Sequence, residues 1–266
     1  MASIRFFSAG IIIFIIALAL KIPLKLSKVQ FKNSAIAGFL FLVYGNGVFV
    51  WALKYVDSGF AALIAATQPL FVILLMRLLQ GSKIKIKSLI GIILGLIGMY
   101  LLVSQDDLLL DKRSIIGIIM IFTCVISWSY GSIFVSKANL PKNFFVATGY
   151  QMIFASILLI VLSFSFNETW LTPIQWSTKA LWSMLLLIVF GGIAAFTAFN
   201  YLLKVVSTEK VSTSAYVNPV IALFLGWYIL DEHISIQSIV AAFILLLGVY
   251  FINSKKKSVL FSRFRK

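Results

Sequence analysis

The sequence predicts an all-α membrane protein whose nine transmembrane helices form two inverted repeats, the first one helix shorter than the second. Three observations lead there. Of the 266 residues 61% are hydrophobic and only 12% are charged, with a mean hydropathy of +1.05, well above what a water-exposed surface tolerates. The charges sit in short clusters between apolar runs long enough to cross a hydrocarbon core of about 30 Å. The chain also matches itself without gaps at an offset of 150 residues.

The apolar runs place helices at 1–20, 34–54, 59–79, 88–104, 114–137, 143–165, 178–203, 209–230 and 234–252. Lipid offers backbone groups no water, so each span must satisfy its own hydrogen bonds. Helices do this, and the alternation expected of barrel strands is absent. The first run is not a signal peptide, because Arg5 lies inside it and the basic cluster follows the apolar stretch instead of preceding it.

Orientation follows from the basic residues. With the C-terminus in the cytoplasm, segments 21–32, 77–87, 137–142, 204–210 and the tail from 253 hold 18 of the 23 Lys and Arg. This bias predicts a multi-pass protein of the cell membrane with Met1 outside. The formal charge of +15 is therefore read as topology. No basic helix interleaved with base-stacking aromatics supports a nucleic-acid partner.

The self-match runs from Leu53–Leu102 onto Leu203–Ile252, with 12 of 50 pairs identical, among them Pro69/Pro219, Ser88/Ser238 and Gly98/Gly248. Pro69 lies in a span running inward and Pro219 in one running outward, so the repeats are inverted. Residues 1–105 form the first repeat, 106–253 the second, and 254–266 a basic cytoplasmic tail. The helix at 114–137 has no counterpart ahead of Met1, which predicts a further helix there in a complete unit. Inverted repeats are a construction of secondary transporters, with the substrate held near mid-membrane where the repeats meet.

Candidate binding residues follow from polarity inside spans. Gln68 and Asn218 precede the two prolines, and Pro69 and Pro219 are candidate helix kinks because each removes a backbone donor. Trp128, Tyr130, Asn200 and Tyr201 complete the substrate-binding candidates. Helix–helix hydrogen bonding is the competing reading for the amides, and interfacial anchoring for the aromatics. Tyr44, Asn46, Trp51 and Tyr216 share the same residue types. Gly91, Gly95 and Gly98 would allow close helix approach, within the monomer or at a homodimer contact.

Several chemistries are disfavoured. Cys124 and His233 are the only residues of their types, which argues against zinc and Cys/His catalysis, so no metal site, no catalytic residue and no cofactor is expected. Asp106, Asp107 and Asp111 form one acidic cluster without a second, poor support for a lipid-substrate enzyme. Glu209, Asp231 and Glu232 read as solvated helix ends. A channel or a non-transporting scaffold stays open beside a carrier for a small-molecule substrate in the bilayer.

Ser3-Ile4-Arg5-Phe6 opens a helix, Ala52-Leu53-Lys54-Tyr55 precedes Gln68-Pro69, and Trp128-Ser129-Tyr130-Gly131 is followed by Lys137. Asn200-Tyr201-Leu202-Leu203 then precedes Asn218-Pro219 and Leu230-Asp231-Glu232. In this order the set resembles the EamA-type exporters of the drug/metabolite transporter superfamily. The resemblance implies ten helices, a central cavity shared by both repeats, and export of amino acids, related metabolites or drugs. The chain departs from the pattern at Leu79-Gln80-Gly81-Ser82, where the family usually has an acidic residue, and in lacking the family's first helix.

Overall fold

The computed structural model describes residues 1–56, 58–104, 112–168, 170, 175–230 and 234–254. The tail from Lys255, the cluster of Asp106, Asp107 and Asp111, the residues Asp231, Glu232 and His233, and Thr169 lie outside them. Every regular element among the described residues is helical: α1 (Ala2–Ala19), α2 (Lys28–Ala52), α3 (Ser58–Ala65), α4 (Gln68–Gln80), α5 (Ile86–Val103), α6 (Lys112–Lys137), α7 (Phe144–Ser165), α8 (Thr178–Val205), α9 (Thr208–Val211), α10 (Ser214–Leu230) and α11 (Ile236–Asn253). Seven helices are long and apolar enough to cross a membrane, and Ile86–Leu102 is a shorter apolar helix. With α10 these correspond to the nine predicted spans, so the chain is an all-α, multi-pass membrane protein.

Local chemistry sets the ends. Ser27 caps α2 through a capping box, accepting from Gln30 N at 3.2 Å while its own N–H reaches Gln30 Oε1 at 3.0 Å. The helix therefore starts six residues before the predicted span, and Lys28 and Lys32 lie on it. Asn143, Ser177 and Ser235 cap α7, α8 and α11 with side-chain oxygens that accept backbone N–H groups. Gly81, at φ 62°, ends α4 in the left-handed conformation that residues with a Cβ avoid.

Two seams hold the bundle together. α1 packs along α7, and α5 along α11. A Cβ added at Gly91 would lie 2.6 Å from Gly248 O, and one at Gly98 3.0 Å from Ala241 O. As one residue number rises its partner's falls, so α5 and α11 are antiparallel. These two helices are related by the 150-residue offset, and their antiparallel packing is the inversion itself. The predicted glycine contact is thus intramolecular: with no hydrophobic gain between helices in lipid, close backbone approach through small residues supplies the attraction. Large apolar side chains such as Ile93, Tyr100, Phe243 and Tyr250 point outward, toward the place of lipid.

The Lys83, Lys85, Lys137 and Lys204 end of the bundle is its basic end. There Glu209 of α9 accepts from Ser88 Oγ of α5 and pairs with Lys85 Nζ at 3.5 Å, joining the repeats. Glu209 is therefore engaged by a helix of the other repeat, although an exposed ion pair of this kind contributes little by itself.

Candidate functional site

The two prolines take different places in their helices. The predicted span 59–79 is broken at Ala66 and Thr67, and Pro69 becomes the second residue of α4, a position where no N–H is needed. Thr67 closes the break by giving both its N–H and its hydroxyl to Ile64 O, at 3.0 and 2.6 Å. Pro69 has no proton for the carbonyl of Ala65. Pro219 instead lies inside α10, and the break in that span falls earlier, at Ser212 and Thr213. Ser212 and Thr213 hydroxyls donate to Glu209 O and Lys210 O at 2.7 Å each.

At the first break a cavity of about 190 Å³ opens between α2, α3, α4 and α6, lined by Gly45, Asn46, Ala65, Gln68, Cys124 and Trp128 among others. Gln68 Nε2 is buried without a hydrogen-bond partner. Its backbone is held from α6, where Ser129 Oγ donates to Gln68 O at 3.4 Å. An unpaired amide in an apolar setting costs about 1–3 kcal/mol. Gln68 thus has donor capacity left for something that enters the cavity. Cys124, expected as apolar packing, is buried and donates through Sγ to Tyr44 O at 3.3 Å.

Both repeats widen into a π-helical stretch before this region, Phe39–Val48 within α2 and Leu187–Phe196 within α8. Such stretches redirect side chains and recur at functional sites. Here they meet through aromatic rings: Phe41 lies 5.7 Å edge-on to Phe196 and 5.0 Å from Trp128, which also contacts Phe199 at 5.7 Å. Trp128 therefore connects the cavity wall to both π stretches.

The remaining candidates are placed elsewhere. Asn200 is buried, accepts from Gln151 Nε2 at 3.2 Å, and donates to Thr148 Oγ1 and Phe196 O at 3.3 and 3.2 Å. With Tyr201 it lines a separate cavity of about 270 Å³ near the basic end, beside Lys204. Tyr201 is largely exposed, with its ring 5.1 Å from that of Phe144. Tyr130 and Asn218 are exposed and line neither cavity. Of the six candidates, Gln68 and Trp128 share one cavity and Asn200 and Tyr201 another.

A third and larger cavity, about 410 Å³, opens at the end opposite the basic one, lined by Ser3, Val43, Trp51, Lys54, Phe166 and Glu168 among others. Lys54 Nζ sits 4.1 Å over the Trp51 ring, and Glu168 accepts from Ser163 Oγ at 2.6 Å. Sequence reading missed Gln151 and Arg5 as polar partners. Both were visible as a lone amide and a lone cation within predicted spans. Among the described residues no group of three His, Cys, Asp or Glu side chains gathers as a metal site.

Known proteins resemble this chain in sequence and in fold. The uncharacterized inner membrane transporter YedA of Escherichia coli (strain K12) is 35% identical over 229 residues, covering 85% of this chain and 72% of the relative. The uncharacterized transporter YoaV of Bacillus subtilis (strain 168) is 23% identical over 253 residues, covering 94% of this chain and 85% of the relative. One solved crystal structure of a protein matches with a TM-score of 0.80 at 17% identity, over 95% of this chain and 85% of that one, which speaks for the fold alone. The model of the EamA-like transporter family matches residues 1–104 and again 115–254. Matched over nearly its whole length, once in each half, this multi-pass chain belongs to the EamA-like transporter family.

Proposed function

We propose that the chain exports a small amphipathic metabolite, amino acid or drug-like compound by alternating access, with the substrate held between the repeats near mid-membrane. The observation that carries this reading is Gln68: a buried amide donor without a partner, at a helix break, in a cavity walled by Trp128. Pockets of this kind bind by apolar walls with a few placed polar groups. Trp128 gives the substrate an aromatic face, and the π stretches it touches belong to both repeats. Asn200 and Tyr201 line the cavity nearer the basic end.

The basic end faces the cytoplasm in this reading, as the 18-to-5 division of Lys and Arg supports. The cell membrane is supported by the inner-membrane designation of the E. coli relative. The cavity by Trp51 and Lys54 then opens outward while Glu209, Ser88 and Lys85 join the repeats on the inside.

Counter-flow in proteoliposomes tests the carrier. Vesicles loaded with a metabolite extract should accumulate labelled substrate against its gradient, with saturable flux; linear flux without counter-flow indicates a channel and overturns the proposal. Compartment reporters fused after Ser82 and after Asp107 should give opposite sides.

A further inference from the structure

Arg5 is the cation that the carrier reading leaves without a task. It lies in α1 with its Nη2 donating to Asn46 Oδ1 at 2.7 Å and its guanidinium carbon 4.4 Å over the Phe6 ring. Its Nε is buried and has no hydrogen-bond partner. The ion pair among the described residues is Lys85 with Glu209, and neither touches Arg5. Its partners are thus a neutral amide and an aromatic face.

An intramembrane cation is expensive, and one kept there usually pairs with something. A side chain that only reached for the interface would put its polar atoms in water. Arg5 does otherwise, turning one nitrogen to Asn46 and burying another. The location matters as much as the charge. Asn46 lines the cavity of Gln68 and Trp128, while Ala2, Ser3 and Gly47 line the larger cavity at the opposite end from the lysines. Residues 45–51 of α2 contribute to both, so this stretch is the wall between them, and Arg5 bonds to it at Asn46.

We infer that Arg5, oriented by Asn46, is the anchor for the carboxylate of an amphipathic organic anion or zwitterion whose apolar part lies against Trp128. The inference rests on the carrier reading and adds the charge class of the substrate. A guanidinium offers parallel donors that match the two oxygens of a carboxylate, which a spherical inorganic anion does not use. Asn46 can accept from the guanidinium but cannot neutralise it. The amide therefore fixes the geometry and leaves the charge for the ligand. An acidic residue at position 46 would fill the site internally.

The test is binding to the purified chain, followed by tryptophan fluorescence, of phenylacetate, indole-3-acetate and octanoate, each against its uncharged primary amide. Each acid should bind about tenfold or more tighter than its amide, the size expected of a charge-assisted bond. Asn46→Asp should erase that preference while leaving the melting temperature unchanged or higher, because it supplies the missing counter-charge. This variant keeps the test informative if Arg5→Gln fails to fold. Equal binding of acid and amide, a tenfold preference surviving in Asn46→Asp, or chloride competing as well as phenylacetate would each overturn the assignment. Counter-flow measured on the same preparation separates the two ideas: transport without acid preference removes the Arg5 site and leaves the carrier, while acid preference without counter-flow removes the carrier and leaves the site.

Discussion

The helices around Pro69 and Pro219 start from equivalent positions in the two repeats and end in different surroundings. In the first, the chain breaks directly before Gln68, and α3 and α4 lie against α6, which supplies Cys124, Trp128 and Ser129. In the second, the break comes at Ser212 and Thr213, α10 packs chiefly on α11, and Asn218 is exposed. The difference among the described residues lies in α6, which packs on α3 and α4 and walls the Gln68 cavity. Equal sequence positions therefore do not make equal sites: a neighbouring helix turns one amide into a cavity wall.

The shared seam should be the most sensitive to substitution, because there the repeats do behave alike. Gly91→Leu forces a side chain into Gly248 O and should cost about 1–3 kcal/mol by overpacking, read as a lower melting temperature and loss of monodispersity. Gly191→Ala, whose nearest neighbour is Leu187 Cδ2 at 3.8 Å, is the matched control and should be near neutral. Equal tolerance at both positions would break the picture of α5 and α11 as the common axis.

The paired amides sharpen the contrast directly. Gln68→Ala should change apparent substrate affinity by about tenfold, roughly 1.4 kcal/mol, in protein that still folds and reaches the membrane. Asn218→Ala should change it by less. A larger effect at Asn218, or unchanged affinity in both, would move the site away from the first break. The smallest effect concerns the hydroxyls that close the breaks. Thr67→Val and Thr213→Val should each lose about 1 kcal/mol of thermal stability or less, and only Thr67→Val should also alter transport, since its break borders the Gln68 cavity.

How much of this was legible beforehand depends on the range of the interactions. Each span was visible because lipid demands a long apolar run, a property of consecutive residues. Capping shifted some boundaries by a few residues: Ser27 and Gln30 extend α2 toward the N-terminus, a local signal stronger than the apolar pattern that placed the start at 34. The offset of 150 exposed the inversion, since two copies of one pattern separated by an odd number of crossings must point opposite ways. That Gln68 and Trp128 carry related polarity was readable too; that they share a cavity was not.

What the sequence determined by itself is the solvent, the helical fold, the inverted repeat and the residues able to bear polarity within lipid. The tertiary structure decided how those residues are used. It consumed Asn200 in bonds to Gln151, Thr148 and Phe196, left Gln68 Nε2 without a partner, and set Arg5 against a neutral amide. It also decided that Pro69 begins a helix while Pro219 sits within one. The physical reason is that hydropathy and backbone hydrogen bonding are satisfied within a segment, whereas pairing a buried polar side chain needs a partner from another helix. Gln151 and Asn200 are 49 residues apart, and Arg5 and Asn46 are 41 apart. Nothing local to either residue encodes which helix will face it.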